Sequence, residues 1–190
     1  MALALTGSRV SCPCCGAHLR RFVVYPSLYC PRCGSYERHR LLALQLRDRP
    51  ELLAPPLRLL QISPDRPLER LVTRPGIERV SIDIDHPAVE FEMDVHELAF
   101  PDASFDRVLA LHVVDAVADQ PRALTEFHRV LRSGGAAVLQ VPVDEQPRLR
   151  ENLVAAGFAV ERLAAAEFGA SAVAQHGLVA EEATFVGRRR

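Results

Sequence analysis

The sequence predicts an α/β protein: a doubly wound, Rossmann-like sheet preceded by a small N-terminal zinc ribbon. Two observations carry this prediction. From residue 57 onward, apolar strands alternate with amphipathic helices, which is typical of a largely parallel sheet covered on both faces. Before this body stand two cysteine pairs at the spacing of metal ligands. A chain of 190 residues is long enough for one substantial domain and a small appendage.

We predict the ribbon at residues 1–34, a connecting helix at 35–56 and the Rossmann-like domain at 57–190. Between the cysteine pairs, β-branched and alternating residues at 17–29 suit a short hairpin. Ser35 is predicted to cap the connecting helix, whose apolar residues recur at helical spacing.

The elements of the body follow from their local patterns. Short apolar runs predict strands at 57–62, 78–85, 88–94, 105–114, 136–142, 158–163 and 181–187, and amphipathic runs predict helices at 65–74, 119–135 and 148–157. The helix at 119–135 has the clearest signals, with Asp119 as N-cap, Pro121 in the first turn and Gly134 at its end. Its apolar stripe consists of Leu124, Phe127 and Val130 or Leu131.

Two matching knuckles, CPCCG at residues 12–16 and CPRCG at residues 30–34, predict the metal site. Four thiolates satisfy the tetrahedral preference of Zn²⁺ and leave no open position, so the predicted site is structural. The predicted ligands are Cys12, Cys15, Cys30 and Cys33. Cys14 is predicted to be the spare thiol, because its use would break the two-residue spacing that the second knuckle repeats.

Composition excludes several classes of protein. Hydrophobic residues make up 48% and charged residues 25%, which is too mixed for disorder, and no apolar run is long enough to cross a bilayer. The opening segment lacks the features of a secretory signal, so we predict a cytoplasmic protein without a membrane partner. In a reducing compartment, close cysteine pairs favour metal binding, and five cysteines form no closed disulfide set.

The front of the chain is basic. The first fifty residues hold eight arginines and two acidic residues, and the chain contains no lysine. Because a tetrathiolate zinc site is itself anionic, a solvated basic surface explains this better than a nucleic-acid contact, which stays open as the less favoured alternative.

Acidic residues follow successive predicted strands, at the edge where a doubly wound sheet binds its ligand. Asp83 and Asp85 follow the second strand of the body, Asp94 the third, and His112 and Asp115 the fourth. An acid after the second strand can accept hydrogen bonds from a ribose diol, and one after the third can hold the amine of adenine. Carboxylates at strand ends can equally be solvated or cap a helix. As a set along one edge, they predict a nucleoside site.

The stretch at residues 93–142, with its phrases AFPDASFD, HVVDAV and RVLRSGG, resembles class I S-adenosylmethionine-dependent methyltransferases. The knuckles followed by ERHRLL further resemble a bacterial subgroup of these enzymes with an N-terminal four-cysteine zinc ribbon. The resemblance implies a seven-stranded sheet ending in an antiparallel hairpin, S-adenosylmethionine as cofactor, and methyl transfer to an acceptor that is a small molecule or a macromolecule.

The resemblance also implies roles for residues at the strand ends. Asp83 would take the ribose hydroxyls, Asp94 with the Val95 backbone the adenine, and Leu111 with His112 would line the methyl-donor pocket. His112, or less readily Asp115, could remove the proton of the attacking nucleophile. A strand-end histidine that merely packs is an equally good interpretation of His112.

The loop after the first strand of the body, SPDRPLER, departs from the family, which has glycines there. Without glycine, we expect this loop not to reach the positive-φ conformation that lets backbone approach the cofactor. Ser63 as donor and Asp65 as partner of the methionyl ammonium could substitute. The departure motivates an alternative function: a catalytically inactive methyltransferase-like module that docks a protein partner.

Overall fold

A computed structural model describes residues 6–190, so the first five residues of the predicted ribbon lie outside the described part. The front of the chain contains β1 (Thr6–Ser11), β2 (His18–Leu19), β3 (Val23–Val24), β4 (Leu28–Tyr29) and α1 (Glu37–Asp48). The body contains β5 (Leu57–Ile62), α2 (Glu69–Val72), β6 (Ile77–Asp83), β7 (Phe91–Glu92), β8 (Phe105–Leu111), α3 (Gln120–Val130), β9 (Leu131–Gln140), α4 (Gln146–Ala155), β10 (Ala159–Ala164), α5 (Gly169–His176) and β11 (Ala183–Arg188). No helix in residues 6–190 has both the length and the apolar character needed to span a membrane.

The body forms one seven-stranded sheet in the order β10-β11-β9-β8-β5-β6-β7. Strands β5 to β9 run parallel, whereas β11 lies antiparallel between β9 and β10. The predicted seven-stranded Rossmann-like sheet with a terminal antiparallel hairpin is therefore confirmed. Because β5 pairs with β6 on one side and with β8 on the other, the strand order reverses at β5, and ligands of such sheets bind beside this point.

Helices cover both faces of the sheet. Alternate residues of the strands point to opposite faces, and one face packs on α3 and α4 while the other packs on α1 and α2. The predicted stripe of α3 is confirmed, since Leu124, Phe127 and Val130 are fully buried. Asp119 caps this helix as predicted, its side chain accepting a hydrogen bond from the amide of Arg122 at 3.0 Å.

Several predicted boundaries were wrong. The helix expected to reach Gly134 ends at Val130, because Leu131 adopts extended backbone and pairs with Phe105 of β8. The predicted strand at 88–94 is reduced to β7, which makes only two pairs with β6. Helix α5, with its small residues and no apolar stripe in the sequence, was missed. The early end of α3 shows tertiary pairing outweighing the local pattern.

Candidate functional site

The two knuckles fold in the same way. The amide of Gly16 donates to the carbonyl of Cys12, and that of Gly34 to the carbonyl of Cys30, both at 2.8 Å. Both glycines have positive φ, 70° and 76°, which a side chain would make costly. Each glycine therefore closes a turn that directs the two thiols of its knuckle toward the other knuckle.

The four predicted ligands form one cluster. Their sulfur atoms lie within 4.8 Å of one another. The Sγ atoms of Cys12 and Cys33 are 3.7 Å apart, and those of Cys15 and Cys30 are 3.8 Å apart. Four sulfurs bound tetrahedrally at about 2.3 Å from a zinc ion would be about 3.8 Å apart. The donor set and its spacing fit a structural zinc site, and Cys14 is buried beside the cluster without belonging to it.

Ser35 has a different place from the one predicted. The N-cap of α1 is Tyr36, and Ser35 is fully buried against the cysteines. Its Oγ lies 3.2 Å from the Sγ of Cys12 and 3.3 Å from that of Cys33. A hydroxyl in this position can donate to metal-bound thiolates and orient them. Ser35, which directly follows the second knuckle CPRCG, was thus missed as a residue of the cysteine cluster.

Arg40 ties the ribbon to the body. Its side chain is fully buried on α1, and its guanidinium lies 4.0 Å from the centre of the Phe22 ring. It donates hydrogen bonds to the carbonyls of Leu28, Ser35, His176 and Gly177. The ribbon, α1 and the turn after α5 therefore meet on one side chain.

A crevice of about 340 Å³ opens at the carboxyl ends of β5, β6 and β7. Both predicted nucleoside ligands, Asp83 and Asp94, line it, together with Ser63 and Val95. Its remaining walls are largely apolar and come from Ile62, Ile84, Met93, Val113, Ala116, Val117, Ala118 and the side chain of His96. The structure thus brings the two aspartates to one cavity, and its volume is within the usual range for small-ligand sites.

Both aspartates are held as carboxylates by local donors. Burial by itself would raise the pKa of Asp83, but hydrogen bonds from the Ser63 hydroxyl and the Asp85 amide lower it. The pKa of Asp94 is lowered chiefly by the backbone amide of His96, which lies 2.8 Å from Oδ1. The His96 ring adds a second contact at 2.6 Å. His96 was missed as a site residue, although it stands only two positions after the predicted ligand Asp94.

The loop after β5 corrects one expectation. Ser63 has a φ of 49°, so the positive-φ conformation is reached without glycine. His112, at the end of the neighbouring strand β8, has a φ of 54°. Each residue is held by a bond to an adjacent strand, since Ser63 N donates to the Ile82 carbonyl at 2.9 Å and His112 N to that of Gln140 at 2.8 Å. Left-handed backbone outside glycine costs about 1–2 kcal/mol, and such strain clusters at functional sites.

Asp65, Leu111, His112 and Asp115, all predicted site residues, lie outside the open crevice. Asp65 Oδ2 is 2.8 Å from His39 Nε2 and 3.8 Å from Arg38 Nη2. Burial opposes its ionisation, but His39, Arg38 and His112 outweigh that effect and lower its pKa. Burial, reinforced by Arg38, lowers the pKa of His112 despite the nearby Asp115. The first turn of α1 therefore supplies two basic residues to the ligand edge that sequence reasoning did not find.

Residues 69–139 match the family model described as a methyltransferase domain. Over 48 residues the chain is 44% identical to the phosphatidylethanolamine N-methyltransferase of Cereibacter sphaeroides, an alignment that covers 25% of this chain and 24% of that protein. The chain therefore matches about a quarter of the length of this relative.

Solved structures share the fold over most of the chain. A SAM-dependent methyltransferase from Archaeoglobus fulgidus superposes with a TM-score of 0.60 at 15% identity, covering 82% of this chain and 95% of that one. A methyltransferase chain from the Haloferax volcanii complex with the Trm112 methyltransferase activator superposes with a TM-score of 0.54 at 18% identity. The superposition covers 78% of this chain and 93% of that one. Such identities establish the fold alone. This chain has the fold of class I S-adenosylmethionine-dependent methyltransferases, its residues 69–139 match the methyltransferase-domain model, and its N-terminal four-cysteine cluster fits a zinc ribbon.

Proposed function

We propose that this protein transfers a methyl group from S-adenosylmethionine to an acceptor nucleophile. The observation that carries the proposal is the crevice at the ends of β6 and β7, which is lined by both Asp83 and Asp94. Carboxylates at these two positions suit the opposite ends of one adenosine, the ribose diol and the adenine amine.

Each residue of the crevice has a proposed role. Asp83 accepts hydrogen bonds from the ribose hydroxyls, and Ser63 holds the Asp83 carboxylate in place through its own hydroxyl. Asp94 and the backbone of Val95 bind the adenine, whose faces pack against the apolar walls. The His96 contacts fix the orientation of Asp94 and leave its second oxygen for the ligand.

The chemistry needs little from the protein beyond alignment. When bound, the cofactor would supply a methyl group on a positively charged sulfur: the acceptor would bond to the methyl carbon as its bond to sulfur breaks, and the sulfur would leave as a neutral thioether. Leu111 and His112 are proposed to line the methyl-donor pocket, where holding the reactants in a dry, fixed geometry supplies much of the rate. The lowered pKa of His112 keeps its imidazole neutral near pH 7, so it can take a proton from the acceptor, with Asp115 as the second candidate base.

We also propose that Cys12, Cys15, Cys30 and Cys33 bind one structural Zn²⁺. All four positions of a tetrahedral ion are then filled by sulfur, so the ion stabilises the ribbon and takes no part in the reaction.

A docking module without activity is the second candidate function. One observation favours it: the Asp65 carboxylate, which could meet the methionyl ammonium, is already paired with His39. The Haloferax volcanii relative was solved in complex with a methyltransferase activator, which supports a protein partner as an interpretation for this chain.

Calorimetry with S-adenosylmethionine separates the two functions. We expect binding, and we expect Asp83→Ala to weaken it by about 1–3 kcal/mol, the cost of lost hydrogen bonds to a charged group. Asp85→Ala is the matched control, because the Asp85 side chain is exposed and does not line the crevice. Absence of heat at millimolar cofactor would exclude the enzyme, and an unchanged affinity of Asp83→Ala would show that the ribose is bound elsewhere.

A further inference from the structure

The loop after β5 offers few backbone donors to an anionic group. Pro64 and Pro67 carry no amide hydrogen, and the amide of Ser63 already donates to the Ile82 carbonyl at 2.9 Å. Glycine-rich loops in such folds hold anions with several free amides. Here, a carboxylate that approaches the loop needs donors from side chains instead.

The charge of the loop poses a second requirement. Its acidic residue, Asp65, is ionised, and its Oδ2 atom is engaged by His39 Nε2 at 2.8 Å. An approaching carboxylate would be repelled by Asp65 unless a cation lay between them. Arg38 is a cation beside Asp65, with Nη2 3.8 Å from Asp65 Oδ2.

Arg38 has unused hydrogen-bonding capacity. Its Nε atom is buried and has no hydrogen-bond partner within residues 6–190. The guanidinium lies 5.1 Å from the centre of the Tyr36 ring, which restricts its orientation. Its charge contributes to the lowered pKa of Asp65, which follows β5, and to that of His112, which follows β8. Arg38 therefore faces the point where the strand order reverses.

Other polar atoms without partners lie at the same edge. Within residues 6–190, four buried side-chain atoms have no hydrogen-bond partner. They belong to Arg38, Asp115, Gln140 and Glu182. Asp115 follows β8, Gln140 ends β9, and Glu182 precedes the antiparallel strand β11, so all three stand at the carboxyl edge of the parallel strands. Buried polar atoms without partners are rare, and those at this edge are free to bond a polar group that enters it.

We propose that Arg38 and Asp115 bind the amino-acid end of S-adenosylmethionine. The guanidinium of Arg38 takes the carboxylate, and the Asp115 carboxylate takes the ammonium. This inference rests on the proposed function and replaces two roles given above, that of Asp65 as partner of the ammonium and that of Asp115 as second candidate base. Because Arg38 lies on α1, five residues after the last cysteine of the cluster, the ribbon then positions one wall of the cofactor site.

Two ligands that differ only at the amino-acid end test the proposal. S-adenosylhomocysteine carries this end, whereas 5′-methylthioadenosine has the same nucleoside without it. In calorimetry with the full chain, we expect Arg38→Gln to weaken the binding of S-adenosylhomocysteine at least tenfold. The affinity for methylthioadenosine should change by less than twofold. Asp115→Asn is expected to give the same selectivity with a smaller loss. The matched control is Arg47→Gln on the same helix, where the arginine is exposed and makes no hydrogen bond in residues 6–190.

Each other outcome overturns a distinct claim. If Arg38→Gln weakens both ligands equally, or neither, then Arg38 does not bind the amino-acid end. If Arg38→Gln lowers the unfolding temperature without any change in ligand selectivity, then Arg38 has only a structural role, and the inference is wrong. If the unmodified protein binds neither ligand, the proposed function itself fails.

Discussion

The ribbon and the sheet share one chain but are stabilised by different means. Strands β2, β3 and β4 have two residues each, and the hairpin tip exposes Val24 and Tyr25 by 70% and 76%. The sheet, in contrast, has strands of up to ten residues and a continuous apolar core that includes Phe105, Phe127 and Phe185. A segment as small as the ribbon buries too little apolar surface to fold by itself, so its four cysteines take the place of a core.

The difference also concerns how each region encodes its structure. The sheet depends on many interchangeable apolar residues, whereas the ribbon depends on a few residues of fixed identity and spacing. A single substitution should therefore have a local and severe effect in the ribbon and a graded effect in the sheet.

Metal removal should have the largest effect. We expect chelation, or Cys30→Ser, to unfold the ribbon and to leave the sheet folded, because structural zinc in small modules contributes about 10–16 kcal/mol. Hydrogen exchange should show loss of protection in residues 12–34 and retained protection in β5 and β8. Cys14→Ser should keep one metal ion per chain. If the unmodified protein holds far less than one metal ion per chain, the ribbon is not stabilised by metal.

A substitution that leaves a cavity beside the sheet should have the next largest effect on stability. Phe127 is fully buried between α3 and the sheet, so Phe127→Ala should lower the free energy of unfolding by about 3–5 kcal/mol in urea titrations. The metal content should stay unchanged. Phe91→Ala, at a ring that is half exposed, should cost far less. Loss of metal from the Phe127 variant would show that the ribbon depends on the core.

Arg40 links the two regions, and its replacement should uncouple them. Arg40→Met removes the side-chain donor of four backbone carbonyls, of which that of Ser35 keeps the amide of Cys30, and we expect a loss of about 3 kcal/mol. Calorimetric unfolding should then show two transitions in place of one. A single transition in this variant would mean that apolar contacts are enough to join the ribbon to the sheet.

A smaller effect should follow from pH. Burial and Glu37 raise the pKa of Glu182 to about 7, against the influence of Arg38 and Arg40. An acid whose pKa is raised by folding binds its proton more tightly in the folded state. Its stabilising contribution is thus present below the unfolded pKa of about 4.5 and is lost as the pH rises through about 7.

The variant Glu182→Gln should remove this dependence. We would measure the free energy of unfolding of both proteins at pH 5 and at pH 8. Between these pH values, the variant should become more stable relative to the unmodified protein by about 1–3 kcal/mol. Curves that stay parallel would show that Glu182 ionises normally in the folded protein.

Local pattern was enough to predict the sheet but not the contacts across its edge. The apolar runs, together with the rule that parallel strands share a carboxyl edge, predicted that Asp83 and Asp94 lie at one site. The structure places both in one crevice. The pairing of Asp65 with His39 joins residues from two different elements, so no local signal reports it. The conformation of Ser63 was missed for the same reason, since it depends on a bond to β6 rather than on the residue type.

The contact of Arg40 with the turn after α5 has a consequence for recombination between related proteins. The carbonyls of His176 and Gly177 are bound by a side chain more than a hundred positions earlier, and Ser11 contacts the His176 ring as well. An exchanged ribbon would have to arrive with a matching C-terminal segment, or both pieces would lose their anchor. We therefore expect the ribbon and the segment after α5 to be exchanged only together, even though the seven-stranded sheet lies between them in the sequence.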